Sequence, residues 1–85
     1  MSRAEAETLK ALGRRIKAAR EAASLTQEQA AHIAGIDLKR WQRLEAGAVN
    51  ATVRTLVRVS QATGTTVWAL FRASHPRGRG TTPTR

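Results

Sequence analysis

Residues 26–47 read TQEQAAHIAGIDLKRWQRLEAG, and this stretch decides the fold. Thr26 is suited to cap a helix, and Gln29 follows it at capping-box spacing. Gly35 supplies the left-handed backbone that a tight helix exit requires. Asp37 then caps a second helix, Leu38 to about Ala46, and Gly47 ends it. Ala30, Ala31 and Ala34 are small where the two helices must cross closely. Two short capped helices joined through Gly35-Ile36-Asp37 form a helix-turn-helix by construction.

The flanks extend the same pattern. Upstream, Leu9, Leu12, Ile16, Ala19 and Ala23 recur at helical spacing with cations on the other face, until Ser24 and Leu25 end the run. Downstream, Thr52 caps a helix with Val53, Leu56, Val57 and Val59 apolar, stopped at Gly64. Thr66 caps a last short helix with Val67, Leu70 and Phe71 apolar. The prediction is an all-α domain of five helices over 8–71. Residues 1–7 are expected to be a flexible N-terminus or a weak first turn. Residues 72–85, RASHPRGRGTTPTR, read as a disordered basic tail with nothing to bury.

The 85 residues hold 15 Lys plus Arg against 6 Asp plus Glu, a formal net charge of +9. That balance favours a polyanionic partner. Its distribution is informative. Residues 10–25 carry a net +4 (Lys10, Arg14, Arg15, Lys17 and Arg20 against Glu21), and the tail carries another +4 without an acid. Residues 26–45 are neutral overall, so any selectivity there comes from particular side chains. No cysteine is present, which removes disulfides and thiolate chemistry. No apolar run approaches the ~20 residues of a membrane span, and no signal-peptide core stands at the N-terminus. A cytoplasmic protein is expected, with no membrane role and no room for a ligand-sensing domain.

With residues of the second short helix placed at about 100° intervals, Trp41, Leu44 and Glu45 share one side. Lys39 and Arg43 lie opposite, with Gln42 and Arg40 on the flanks. Lys and Arg can bond guanine's major-groove edge, and Gln42 can bond adenine's. The same pattern also fits an ordinary solvated face. Glu45 on a core side and Arg20 on the Ile16 stripe are two charges that burial would penalise unless they pair; the other reading is two partly exposed charges.

From Leu12 to Phe71 the chain resembles the lambda-repressor-like (Cro/XRE) helix-turn-helix transcription regulators. The resemblance rests on Arg20, Thr26-Gln27-Glu28, Ala31, Gly35-Ile36, Leu44-Glu45-x-Gly47, Leu56, Gly64 and Leu70-Phe71. It implies that the third helix enters the major groove of double-stranded DNA and that the protein binds as a homodimer. It also implies base contacts from Leu38, Lys39 and Arg43, a phosphate contact and a bracing role for Gln27, and backbone contacts at Asn50 and Thr52. Gln42 joins the base readers and Arg40 the backbone contacts on the geometry above. The resemblance makes Arg20 and Glu45 a partly buried ion pair that fixes the angle of the third helix. Helix N-termini at Gln27 and Val53 suit phosphate independently. Asn50 can donate to phosphate, or merely hold a loop angle.

The sequence departs from the pattern in places. Trp41 stands where Ile or Val is common, and Ala30 is small where Leu is frequent. Leu38 replaces a polar residue and can meet a thymine methyl or cover its own helix start. Thr63 and Thr65 replace apolar residues, predicting a weakly packed end to the fourth helix. Trp68 stands at a usually polar position. With Val67, Leu70 and Phe71 it predicts a dimer contact; the alternative is packing over the start of the first helix.

Catalysis has no foothold, and neither His32 nor His75 has a partner at metal-ligand spacing. No cofactor is expected. The sequence therefore predicts a sequence-specific transcription regulator, a repressor on a short inverted repeat. The alternative is an antitoxin-type DNA-binding protein with a second protein as partner.

Overall fold

The computed structural model describes residues 1–72. Five helices follow one another: α1 Arg3–Ala22, α2 Gln27–Ala34, α3 Leu38–Glu45, α4 Val53–Thr63 and α5 Val67–Phe71. Among the described residues there is no strand, so the fold is all-α. No described helix is long and apolar enough to cross a membrane.

α1 begins earlier than the expected boundary at Thr8. Ser2 Oγ accepts from Glu5 N–H at 3.1 Å, and Glu5 Oε1 accepts from Ser2 N–H at 2.8 Å. This capping box satisfies two otherwise orphaned donors and carries the helix from Arg3 across most of the segment expected to be flexible. At the other end, Ala23 is exposed rather than part of the buried stripe. Ser24 takes φ 60°, in the left-handed region. Leu25 N–H reaches back to Arg20 O at 3.1 Å and Ser24 N–H to Glu21 O at 2.9 Å, the two bonds of a Schellman exit. α2 leaves through the same pair of bonds with Gly35, φ 69°, in the left-handed position.

The core comprises Leu12 and Ile16 of α1, Ala30, Ala31 and Ala34 of α2, Ile36 of the turn that follows it, Trp41 and Leu44 of α3, Leu56 and Val59 of α4, and Leu70 of α5. α1 packs against α3, α4 and α5, and α2 against α3 and α4. Val53 and Val57, read as apolar members of helix four, point to solvent; the buried side of α4 is Thr55, Leu56, Val59, Ser60 and Thr63. The end of α4 is therefore not loose. Thr63 is buried and donates its hydroxyl to Val59 O at 2.8 Å, and Ser60 donates to Val57 O at 2.8 Å. Intrahelical acceptors let these hydroxyls sit inside at little cost.

α1 and α3 approach backbone to backbone. A methyl at Gly13 would stand 2.8 Å from Leu44 O and 2.9 Å from the Glu45 carbonyl carbon. A methyl at Gly47 would stand 2.7 Å from Lys10 Cα. These two glycines let the end of α3 seat directly on α1, which sets how far α3's opposite side projects.

Candidate nucleic-acid interface

α3 is short, and its placement comes from three sources. Asp37 caps it, accepting from Arg40 N–H at 2.9 Å. Its inner side is locked: Trp41 is 0% and Leu44 3% exposed. Its outer side consists of Lys39, Arg40, Gln42 and Arg43, all exposed, with Leu38 at the exposed edge of its first turn. The helix is thus half core and half open donors.

The third source is a polar hub beneath α3. Arg20 Nε donates to Glu45 Oε2 at 2.5 Å and Nη2 to Oε1 at 3.2 Å, a bidentate pair whose side chains are 11% and 5% exposed. Arg20 Nη1 also donates to Leu25 O at 2.9 Å, tying the α1–α2 connection to the pair. Two further donors converge on the carboxylate. Trp41 Nε1 donates to Oε2 at 2.7 Å and Gln27 Nε2 to Oε1 at 2.9 Å. Each Glu45 oxygen thus accepts two N–H groups, from α1, α2 and α3. Burial alone would push the Glu45 carboxyl up. The donors Arg20, Gln27 and Trp41, with the guanidinium charge, outweigh it and hold the carboxyl below its usual range. The same contact, opposed by burial, holds the Arg20 guanidinium higher still. The Trp41 contact went unread in the sequence, although four residues of helical spacing bring an indole N–H and a carboxylate onto one face.

Gln27 lies at the start of α2 and its side chain is occupied. While Nε2 donates to Glu45, Oε1 accepts from Gln42 Nε2 at 3.2 Å. It braces α3 from below. The caps use the N–H groups of Gln29 and Thr55. The N–H groups of Gln27 and Glu28 on α2, and of Val53 and Arg54 on α4, are left directed out of the helix starts. At α4 the Thr52 hydroxyl is consumed by its cap and by a 3.1 Å bond to the Thr55 hydroxyl, so a backbone contact there falls to the main-chain amides. Asn50 Oδ1 accepts from Ala51 N–H at 3.1 Å, which holds the loop; the residue is exposed, and its NH2 remains as a donor. Further cations are exposed on the neighbouring helices: Lys10, Arg14 and Lys17 on α1 and Arg54 and Arg58 on α4. The tail's cations from Arg77 onward lie outside the described residues.

The expected dimer contact divides. Leu70 is 1% exposed and belongs to the core, so it cannot form part of a subunit contact as expected. Val67 is half-buried against the same core. α5 has only five residues, and its inner side must cover α1 and α4. Trp68, 80% exposed, and Phe71, 48% exposed, remain outside; Trp68 does not pack over the start of α1.

The helix-turn-helix domain family matches residues 11–70. The fold is similar to the crystal structure of the restriction-modification controller protein C.AhdI from Aeromonas hydrophila. The TM-score is 0.72 at 27% identity, over 74% of this chain and 96% of that one. No curated protein matches the chain. Its capped α2 and α3, the left-handed Gly35 between them and the match from residue 11 to residue 70 agree: this chain belongs to the helix-turn-helix domain family.

Proposed function

We propose that this protein is a transcription regulator that inserts α3 into the major groove of double-stranded DNA. The observation that carries the reading is the two-sided construction of α3. Its inner residues are bolted into the core, while Lys39, Arg40, Gln42 and Arg43 stand outside beside the open amides of α2. Such a helix can press donors against base edges without distorting the fold. Lys39, Gln42 and Arg43 read bases, with Leu38 at the groove floor. Arg40, Asn50 and the α2 and α4 helix starts at Gln27 and Thr52 hold phosphates. The likeness to a restriction-modification controller protein supports regulation by binding, without a catalytic step.

Trp68 and Phe71 join two copies, and the homodimer acts as a repressor on an inverted repeat with half-sites about 34 Å apart. A selection from random duplexes at physiological salt tests this. Enrichment of a palindrome is the expected result; binding that tracks only length and salt would overturn base reading. The exposure of Trp68 also suits a heterologous protein partner, as in a two-protein module. Purified protein sedimenting as a monomer, but as a stable complex when co-expressed with the product of a neighbouring reading frame, would favour that arrangement.

A further inference from the structure

We infer that Asp37 and Leu38 together read 5-methylcytosine, so that cytosine methylation of the operator raises this protein's affinity for it. The inference rests on the proposed entry of α3 into the major groove. It names a base, and a modification state of the DNA, that the contacts described above leave open.

The two side chains are consecutive at the leading end of α3, the part of a recognition helix that meets base edges. Leu38 is 37% exposed, and it is the one large apolar side chain of α3 outside the core, since Trp41 and Leu44 are enclosed. An apolar side chain in that place gains by covering a methyl group. Asp37 is exposed. Its Oδ1 accepts from Arg40 N–H at 2.9 Å, which caps the helix and holds the carboxylate in place. A carboxylate accepts through both oxygens, and Oδ2 has no hydrogen-bond partner among the described residues. The cap of α3 thus carries a spare acceptor next to an apolar side chain.

Base edges differ in which groups stand side by side in the major groove. Thymine carries the C5 methyl but sets the O4 acceptor beside it, which a carboxylate repels. Cytosine sets the N4 donor there, and its C5 carries only hydrogen. Adenine offers a donor at N6 and no methyl, and guanine offers two acceptors. Methylation of cytosine at C5 puts a donor and a methyl on adjacent ring carbons. That pair is the complement of Asp37 and Leu38. A carboxylate among phosphates is otherwise unfavourable; Lys39 and Arg40, exposed just after it, offset the repulsion.

The full chain is tested as wild type, Leu38→Ala and Asp37→Ser. Both positions are exposed, and serine keeps a capping acceptor. Each form is put through random-duplex selection on two libraries, one with ordinary cytosine and one in which 5-methylcytosine replaces it. Affinities are then measured on the best site with cytosine, 5-methylcytosine or thymine in each column, the matching base standing opposite. In one column per half-site, wild type should bind 5-methylcytosine about fourfold more tightly than cytosine, the gain from burying one methyl. It should bind 5-methylcytosine about tenfold more tightly than thymine. Leu38→Ala should bring 5-methylcytosine and cytosine to parity and keep both ahead of thymine. Asp37→Ser should bring thymine to within about twofold of 5-methylcytosine and keep the latter ahead of cytosine. Equal wild-type affinity for methylated and unmethylated forms of a clear site would overturn the inference and leave groove entry standing. Thymine level with or ahead of 5-methylcytosine in the Leu38-dependent column would also overturn it, making Leu38 a thymine reader. So would a methyl preference that survives Leu38→Ala, or a discrimination against thymine that survives Asp37→Ser. Wild type selecting no sequence from either library would overturn both readings.

Discussion

Replacing Arg20 by alanine is the most informative single change. The guanidinium gives two N–H groups to Glu45 and one to Leu25 O, and both charged side chains are nearly buried. Its removal leaves a carboxylate with half its donors and no counter-charge. Breaking a buried pair from one side costs about 3–5 kcal/mol. Trp41 and Gln27 still donate to Glu45, which places the loss near the lower figure, ~3 kcal/mol. For a domain of this size that lowers Tm by about 12–24 °C. Thermal and urea unfolding followed by circular dichroism measure it, and DNA affinity should fall with it because α3 loses its seat. Glu45→Gln is the companion. Each carboxylate oxygen accepts two donors, so an NH2 in either position meets two N–H groups, and this isosteric change should cost at least as much. Acid supplies the internal control. A carboxyl held below its ordinary value of 4.5 contributes stability that is complete above that value and lost as pH falls through the folded-state value. The gap between wild type and Glu45→Gln should be constant above about pH 5 and close in acid. A loss of less than ~1 kcal/mol in Arg20→Ala, the size of an exposed pair, would refute the hub as a structural element.

Gly13→Ala reverses the usual sign. Alanine in a helix interior normally adds up to ~1 kcal/mol, but here its methyl meets the α3 main chain, and a net loss of about 1–3 kcal/mol is expected in urea unfolding. Ser24→Gly should raise Tm by a few degrees, since a left-handed serine is relieved; an unchanged or lower Tm would contradict the strain. Trp68→Lys should leave Tm of the dilute protein unchanged and abolish self-association in sedimentation, because the indole is 80% exposed; a monomeric wild type would remove the proposed dimer face. Arg43→Ala should cost about 1–3 kcal/mol at one base pair and relax selection there; equal losses on specific and random duplexes would make it a phosphate contact instead.

The helix boundaries from Thr26 to Thr66 were legible because each is written in local chemistry. Thr26, Asp37, Thr52 and Thr66 all accept an N–H three residues on, and Gly35 and Gly64 take positive φ. Ser2-Arg3-Ala4-Glu5 carries the same signature within the segment expected to be a flexible N-terminus or a weak first turn. What remained hidden depends on distance between elements. Gly13 reads as a weak spot in a helix until the carbonyls of α3 are seen against it. Leu70 and Trp68 are equally apolar, and only the packing of α5 on α1 and α4 separates the buried one from the exposed one. Within the site, the outward positions of Lys39, Arg40, Gln42 and Arg43 followed from helical angle. The occupied state of Gln27 and Thr52 did not, because a side chain's partners across elements are not encoded in its own spacing.

The chain has two tryptophans and no tyrosine, and the fold sends them to opposite extremes. Trp41 is enclosed and hydrogen-bonded to a carboxylate, whereas Trp68 is almost wholly in water. Ultraviolet emission from this protein is therefore a sum of two separable signals. An aqueous collisional quencher such as iodide should extinguish the red-shifted Trp68 component and spare the blue-shifted Trp41 component. Self-association would shield the first, and loss of the carboxylate contact would alter the second. One unlabelled sample can thus report the seating of α3 and the coverage of α5 independently.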